Sequence, residues 1–355
     1  MSDTYNIFID SISNNYPVIE MKESPLLRQD ESYFTFSPFQ DTQKNFSALK
    51  LSDHLYIKKQ RTIRKLDSLN LTNPLNMNYQ VTYAIQNYRI QNQLPIIVNL
   101  IEIIRTKFFP FISQNDIEIT YPDTLDGFFN GLTQNYKLNE VPMSERYFSN
   151  LGLDGNHYYI KVRMAHNNGS INVVDFVLVN FQQNYMSQLD SIWVEDLIDL
   201  LHEKARYIFD EKKYKDIKKI VSNYTAVPRD QHVILNDLRV IFKMMDLGVY
   251  PAAKGINSEI KRKIRKLYFY YIYYVDKNIN KLSDIVLAFG KEIDASDFDI
   301  KIFLEELVKI DKNYKSSIKS VQKKNIPREV AQSSYGIPNE YYGEFLTNWH
   351  SDYDF

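Results

Sequence analysis

Three carboxylates stand at positions where spacing gives them chemistry. Asp116-Ile117-Glu118-Ile119-Thr120-Tyr121 alternates polar and apolar side chains, which predicts a strand closed by Pro122-Asp123. Asp116 and Glu118, at i and i+2, would share one face of it. Asp175 lies inside Ile171–Phe181 (INVVDFVLVNF), a β-branched apolar run that predicts a buried strand. Strict alternation puts it on the face of Ile171, Val173, Val177 and Val179. An ionised carboxylate there costs several kcal/mol unless it is paired, hydrogen-bonded or bound to a metal. If the two strands are neighbours, Asp116, Glu118 and Asp175 would converge on divalent cations, Mg²⁺ or Mn²⁺, through oxygen ligands. Such a trio suits phosphoryl or nucleotidyl transfer. The competing reading makes Asp116 and Glu118 a solvated strand face and pairs Asp175 with Lys161 or Arg163 across a hairpin.

Basic side chains supply candidates for holding substrate. Lys212, Lys213, Lys215, Lys218 and Lys219 cluster beside Asp216, and Lys212 and Lys215 are placed to contact a triphosphate. The same cluster also fits the charged exterior of a helix. Beyond Ser258, an apolar stripe of Ile260, Ile264, Leu267, Tyr271 and Val275 leaves Lys261, Arg262, Arg265 and Lys266 on its flanks. These would grip a phosphate backbone, with Tyr270 or Tyr274 stacking on bases. A solvated basic helix, or pairing with the acidic tail Tyr341–Phe355, explains them equally well. Asp294-Ala295-Ser296-Asp297 lacks the glycine and glutamate of a calcium loop and reads as a helix N-cap.

The elements that must position these residues follow from periodicity. Residues 1–60 read as an irregular arm, while Asn78–Tyr88 and Ile96–Phe109 show helical spacing, the latter ended by Pro110. A short helix is expected around Leu125–Leu132. His157–Met164 and Ile171–Phe181 form a hairpin through Asn167-Asn168-Gly169, residues that tolerate positive φ. Helical stripes then run through Val194–Phe209, Lys213–Tyr224, Val233–Leu247, Ser258–Ile279, Lys281–Phe289 and Phe298–Ser316. The fold class is therefore α+β, a small mixed sheet flanked by helices and followed by an all-helical C-terminal domain. The expected divisions are 1–94, 95–225 and 229–355, with Pro228 at the second boundary.

Composition narrows the function classes. The chain has 355 residues, no Cys and a formal net charge of −1, so thiolate metal sites and cysteine nucleophiles are excluded and any nucleic-acid contact must be local. The N-terminal MSDTYNIFID lacks a signal-peptide pattern, and the apolar run Leu267–Val275 is too short to span a bilayer, so a cytoplasmic protein with no membrane contact is expected. The first glycine is Gly127, which leaves no dinucleotide fingerprint or phosphate loop before it. The later glycines lack the spacing, HExxH and GxSxG are absent, and the six His are scattered.

The order helix, Asn115-Asp116-Ile117-Glu118-Ile119, short helix, then Val174-Asp175-Phe176-Val177-Leu178 in a hairpin resembles the polymerase-beta-type nucleotidyltransferase superfamily over about 95–225. The block from Glu195 to Ile217 is similar to the helical segment after that family's third carboxylate. The resemblance implies Asp116 and Glu118 as the metal pair and Asp175 as the third ligand. It also implies NTP as substrate, with RNA or a protein hydroxyl accepting the nucleoside monophosphate. The family's Gly-Ser before the paired acids is absent, so the alternative is a catalytically inactive binding or assembly protein. Its 27 Tyr and 21 Phe would then serve contacts with a protein partner.

Overall fold

The structure is a computed structural model that describes residues 4–28, 32–38, 54–64, 73, 75–87, 93–125, 129, 136–142, 148–150, 155–166, 169–181, 187–324, 327 and 329–330. The chain divides into two compact units, Met1–Lys65 with Met77–Lys212, and Leu66–Asn76 with Lys213–Phe355. The first is α+β, built on a mixed sheet with flanking helices, and the second is helical.

The sheet has nine strands among the described residues: β1 (Val18–Glu20), β2 (Leu55–Ile63), β3 (Tyr79–Asn87), β4 (Ile117–Pro122), β5 (Lys137–Val141), β6 (Phe148–Asn150), β7 (Gly155–His166), β8 (Gly169–Phe181) and β9 (Ser187–Val194). Their spatial order is β1-β2-β3-β9-β8-β7-β4-β5, with β6 on β7. All neighbours are antiparallel except the β1–β2 and β4–β5 pairs. The sheet is thus wider than the strands at 116–121, 157–164 and 171–181 suggested, because β2 and β3 join it. The segment expected as a helix over Asn78–Tyr88 contains the strand β3, Tyr79–Asn87, and β2 begins within the expected irregular arm of residues 1–60. Tyr79, Val81, Thr82, Tyr83 and Ile85 in β3 are β-branched or aromatic, side chains that fit a pleated surface better than a helical turn.

One face of the sheet is apolar. Leu55, Ile57, Tyr83, Ile85, Leu189, Trp193, Val174, Phe176, Ile160, Val162, Ile117 and Ile119 are all buried there. Helices cover it: α1 (Thr4–Ser13), α2 (Leu94–Ile103) with a wider turn over Ile104–Phe108, and α3 (Glu195–Glu203). Phe8 of α1 sits 5.2 Å from the Tyr83 ring and 5.1 Å from Trp193, so large aromatic surfaces close this layer.

His166 pairs with Gly169, leaving Asn167 and Asn168 between β7 and β8; these two residues, like most of Leu125–Leu132 and the whole tail Tyr341–Phe355, lie outside the described residues. The second unit contains α4 (Lys215–Ser222), α5 (Pro228–Asp246), α6 (Ile256–Tyr274), α7 (Ile279–Glu292) and α8 (Asp297–Lys324). No described helix is long and apolar enough to cross a membrane.

Candidate functional site

The other face of the sheet is polar, yet much of it is buried. Reading the register across the strands, one row runs Tyr159, Val177, Asp190, Gln86, Tyr56. The row on one side is Thr120, Lys161, Asp175, Ile192, Ala84, Lys58, and the row on the other holds His157 and Gln188. Side chains at successive i+2 positions share a face, so these residues all project to the same side. Gln86, Gln188, Asp190, Lys58, Gln60, Thr82 and His157 on this face are nevertheless buried.

Asp190 is the chemically distinctive member. It is 4% exposed, and Gln86 Nε2 donates to its Oδ1 at 3.0 Å while Gln188 Nε2 donates to the same oxygen. Among the described residues Oδ2 takes no hydrogen bond, and no cation lies within ion-pair distance. Burial therefore dominates: it pushes the Asp190 carboxyl up to about 7, against the two amide donors that favour the charged form. On β7, His157 Nε2 is buried without a hydrogen-bond partner, and burial holds that imidazole below its ordinary range. By contrast Lys58 and Gln60 are engaged with the chain. Lys58 Nζ donates to Ser24 Oγ at 2.5 Å, and Gln60 exchanges bonds with the Ser24 backbone at 2.9 and 3.0 Å.

The carboxylates singled out in the sequence occupy different surroundings. Asp116 lies off β4, at the end of the short turn Gln114–Asp116, exposed and accepting from Ser113 Oγ at 2.8 Å. Glu118 is on β4, 3.3 Å from Lys137 Nζ and 3.9 Å from Arg163 Nη1. Burial alone would raise its carboxyl, but bonds from Lys137, Asn139 and Thr120 hold it below the usual carboxylate range. Asp175, on β8, faces Lys161 in register and accepts from Asn172 Nδ2 at 2.9 Å. Burial raises its carboxyl, opposed by Asn172, Lys161 and Arg64.

A bulge corrects the strict alternation of β8. Val174 pairs with Val162 and Asn172 with Arg163, so Val173 is the extra residue, and Asn172, not Val173, shares the face of Asp175. The structure thus places Glu118 and Asp175 on one sheet face in different rows and leaves Asp116 outside the strand. Among the described residues no three His, Cys, Asp or Glu are grouped to hold a metal ion. The donor set implied for Mg²⁺ or Mn²⁺ does not fit the arrangement of the described residues.

The basic candidates are scattered. Lys212 is exposed, its backbone N–H donating to Glu203 Oε2 at 2.8 Å, and Lys215 is exposed at the start of α4. On α6, Lys261 lies 3.7 Å from Glu306, Arg262 pairs with Glu259, and Arg265 is half-buried. Two of these three cations are therefore bound within their own unit.

Sequence reasoning missed Asp190, Gln188, Gln86 and His157. The available signal was alternation: Gln188, Asp190, Ile192 and Val194 against Leu189, Ser191 and Trp193, and Gln80, Thr82, Ala84 and Gln86 against Val81, Tyr83 and Ile85.

No protein-family model matches the chain, and no curated protein matches it in sequence. Solved structures that it is similar to are aminoacyl-tRNA synthetases. A threonyl-tRNA synthetase from Aeropyrum pernix is 10% identical, covering 74% of this chain and 72% of that one, with a TM-score of 0.40. Histidyl-tRNA synthetase from S. aureus is 6% identical over 59% and 68%, with a TM-score of 0.37. Pyrrolysyl-tRNA synthetase from Desulfitobacterium hafniense is 4% identical over 59% and 71%, with a TM-score of 0.38. Likeness at this level carries no functional argument. The resemblance to polymerase-beta-type nucleotidyltransferases is corrected by the chain's own structure: the sheet is a broad, largely antiparallel one, and among the described residues the carboxylate trio that carried the resemblance is not assembled.

Proposed function

We propose that this chain binds a nucleotide on the polar face of its sheet. The observation that carries the reading is Asp190, a buried carboxyl held on one oxygen by two glutamine amides and left without a partner on the other. Oδ2 is left able to accept a bond, and a donor on a ligand would supply it. Val177, buried beside Asp190 in the same row, offers an apolar floor for a base. Two strands away, on β7, stand His157, Tyr159 and Lys161. Sheet spacing puts Tyr159 roughly 10 Å from Asp190, with His157 and Lys161 about 7 Å to either side along the strand. That span suits a base at Asp190 and phosphates toward Lys161 and Arg163.

Transfer of the nucleoside monophosphate to RNA or a protein hydroxyl would be a further step, and RNA a further partner. Calorimetric titration with each NTP tests binding. Saturable binding weakened at least about tenfold by Lys161→Gln supports the reading, and heats no larger than dilution with all four NTPs overturn it. Labelled-NTP incorporation into RNA, with Mg²⁺ or Mn²⁺ added, tests the transfer separately.

A further inference from the structure

We propose that the surface formed by Lys107, Phe111, Lys204 and Arg206 binds single-stranded nucleic acid, a base stacking on Phe111 and the phosphates meeting the three cations. The inference is independent of the nucleotide reading above: it uses the end of α3 and the stretch after α2 rather than the polar sheet face.

Phe111 follows Pro110, past the wider turn Ile104–Phe108, and is 46% exposed. Its ring meets the buried Phe109 edge-on, with centroids 6.1 Å apart, so the exposed ring is held against the core. Lys204 Nζ stands 5.2 Å from the centre of that ring, and the His202 ring is 6.4 Å away. His202 Nδ1 in turn lies 3.4 Å from the Phe108 carbonyl, which ties the end of α3 to the stretch carrying Lys107 and Phe111. Two residues beyond Lys204, the Arg206 guanidinium lies 5.0 Å from the centre of the Tyr207 ring. Lys107, Lys204 and Arg206 are all exposed.

A single exposed aromatic ring is ordinary on a protein surface. This one is flanked by cations, and among the described residues Lys107, Lys204 and Arg206 enter no ion pair. The acids beside them in sequence face the backbone instead: Glu203 accepts from the Lys212 N–H at 2.8 Å and Asp210 from the Tyr207 N–H at 3.2 Å. A helix C-terminus favours a cation at Lys204, but that accounts for neither Phe111 nor Arg206. The ligand class follows from the combination, because the π face of a base stacks on an aromatic ring while the backbone phosphates are drawn to Lys and Arg. A duplex hides its base faces, and an acidic peptide brings charge without them. An unpaired strand fits both halves of the surface, through chemistry that RNA and DNA share.

Fluorescence anisotropy of labelled oligouridine and oligothymidine, each about 12 nucleotides long, against the full chain at about 50 mM salt tests the surface. Saturable binding of at least one is expected, and whichever binds identifies RNA or DNA as the source of the strand. Phe111→Ala should weaken binding at least about fivefold, the loss of one stacked base, while leaving an abasic strand of the same length within about twofold. Lys107→Gln, Lys204→Gln and Arg206→Gln together should weaken binding of both the base-bearing and the abasic strand about tenfold or more and flatten the salt dependence. All four positions are exposed, and cooperative unfolding followed by circular dichroism establishes that the variants are folded. No saturable binding of either oligonucleotide, or an affinity within about twofold of the parent in either variant, overturns the proposal. So does a loss in Phe111→Ala that is equally large for the abasic strand, or tighter binding to phosphatidylserine vesicles than to either oligonucleotide.

Discussion

Asp237 and Asp230 in the helical unit and Asp190 in the sheet unit are buried carboxylates handled in opposite ways. In the helical unit, Asp237 is 1% exposed and lies 3.2 Å from Lys263 Nζ, while Asp230, 2% exposed, meets Arg229 at 3.2 Å and accepts from the Tyr270 hydroxyl at 2.9 Å. Both carboxylates have a cation from their own or a neighbouring helix. Asp190 in the sheet unit is as deeply buried, but only amides reach it. Asp237 and Asp230 are charges whose countercharges the fold supplies, whereas Asp190 is held by neutral donors alone. Within the helical unit, Lys263 and Lys261 of α6 are tied to Asp237 and Glu306.

The largest effect expected from breaking this contrast is in the helical unit. Lys263→Met would leave Asp237 charged and buried without its cation, and urea melts should show a loss of about 3–5 kcal/mol. Adding Asp237→Asn should recover much of it, since the orphaned charge is then gone. A loss below about 1 kcal/mol for Lys263→Met would mean that the pair is not a structural one.

Asp190 should behave with the opposite sign. Its folded-state carboxyl is raised to about 7, so both states are protonated below the unfolded value and the chain gains nothing from ionisation on folding. As pH rises between about 4 and 7, the unfolded state ionises more readily, and Asp190's contribution falls by up to about 4 kcal/mol before levelling off above the folded value. Asp190→Asn should therefore stabilise the protein at pH 8 and leave it little changed at pH 4. Melts at several pH values check this. An Asn variant less stable than the parent at pH 8 would show that the carboxylate is already compensated inside the fold.

The smallest effect belongs to Glu118, whose partner Lys137 is largely solvent-exposed. Its folded-state carboxyl is depressed, so its stabilisation is present above the ordinary glutamate range and lost as pH falls through the lowered value. Solvent screening limits Glu118→Gln to about 1 kcal/mol or less at pH 7, measurable as a small shift in the urea midpoint. A loss of several kcal/mol would raise Glu118 from a surface ion pair to a core element.

Legibility in the sequence tracked how well hydrophobicity reports burial. The helices from Pro228 onward and the β7–β8 hairpin announce themselves because their apolar residues fall on one period and their turns carry Pro, Asn and Gly. β2 and β3 did not. In β2 the run Lys58-Lys59-Gln60-Arg61-Thr62 has no apolar residue to mark a strand, and in β3 Gln80, Thr82 and Gln86 alternate with Val81, Tyr83 and Ile85 but sit on a face that is itself buried. Asp175 drew attention because it interrupts valines. Asp190 did not, because Gln188 and Ser191 around it already read as polar.

Local spacing by itself determined the period of β4, β7, β8 and the helices from Pro228 onward, and hence an α+β chain with a helical region after its sheet, because those periods are properties of the backbone. Which strands lie side by side was decided only in three dimensions. The meeting of Gln86 with Asp190 spans a separation of 104 residues, and no local pattern encodes that register. The bulge at Val173 shows the same limit at short range: one extra residue moves Asn172 onto the face of Asp175 and Val173 off it. Counting by twos cannot foresee that shift, because it arises from how β7 and β8 hydrogen-bond to each other.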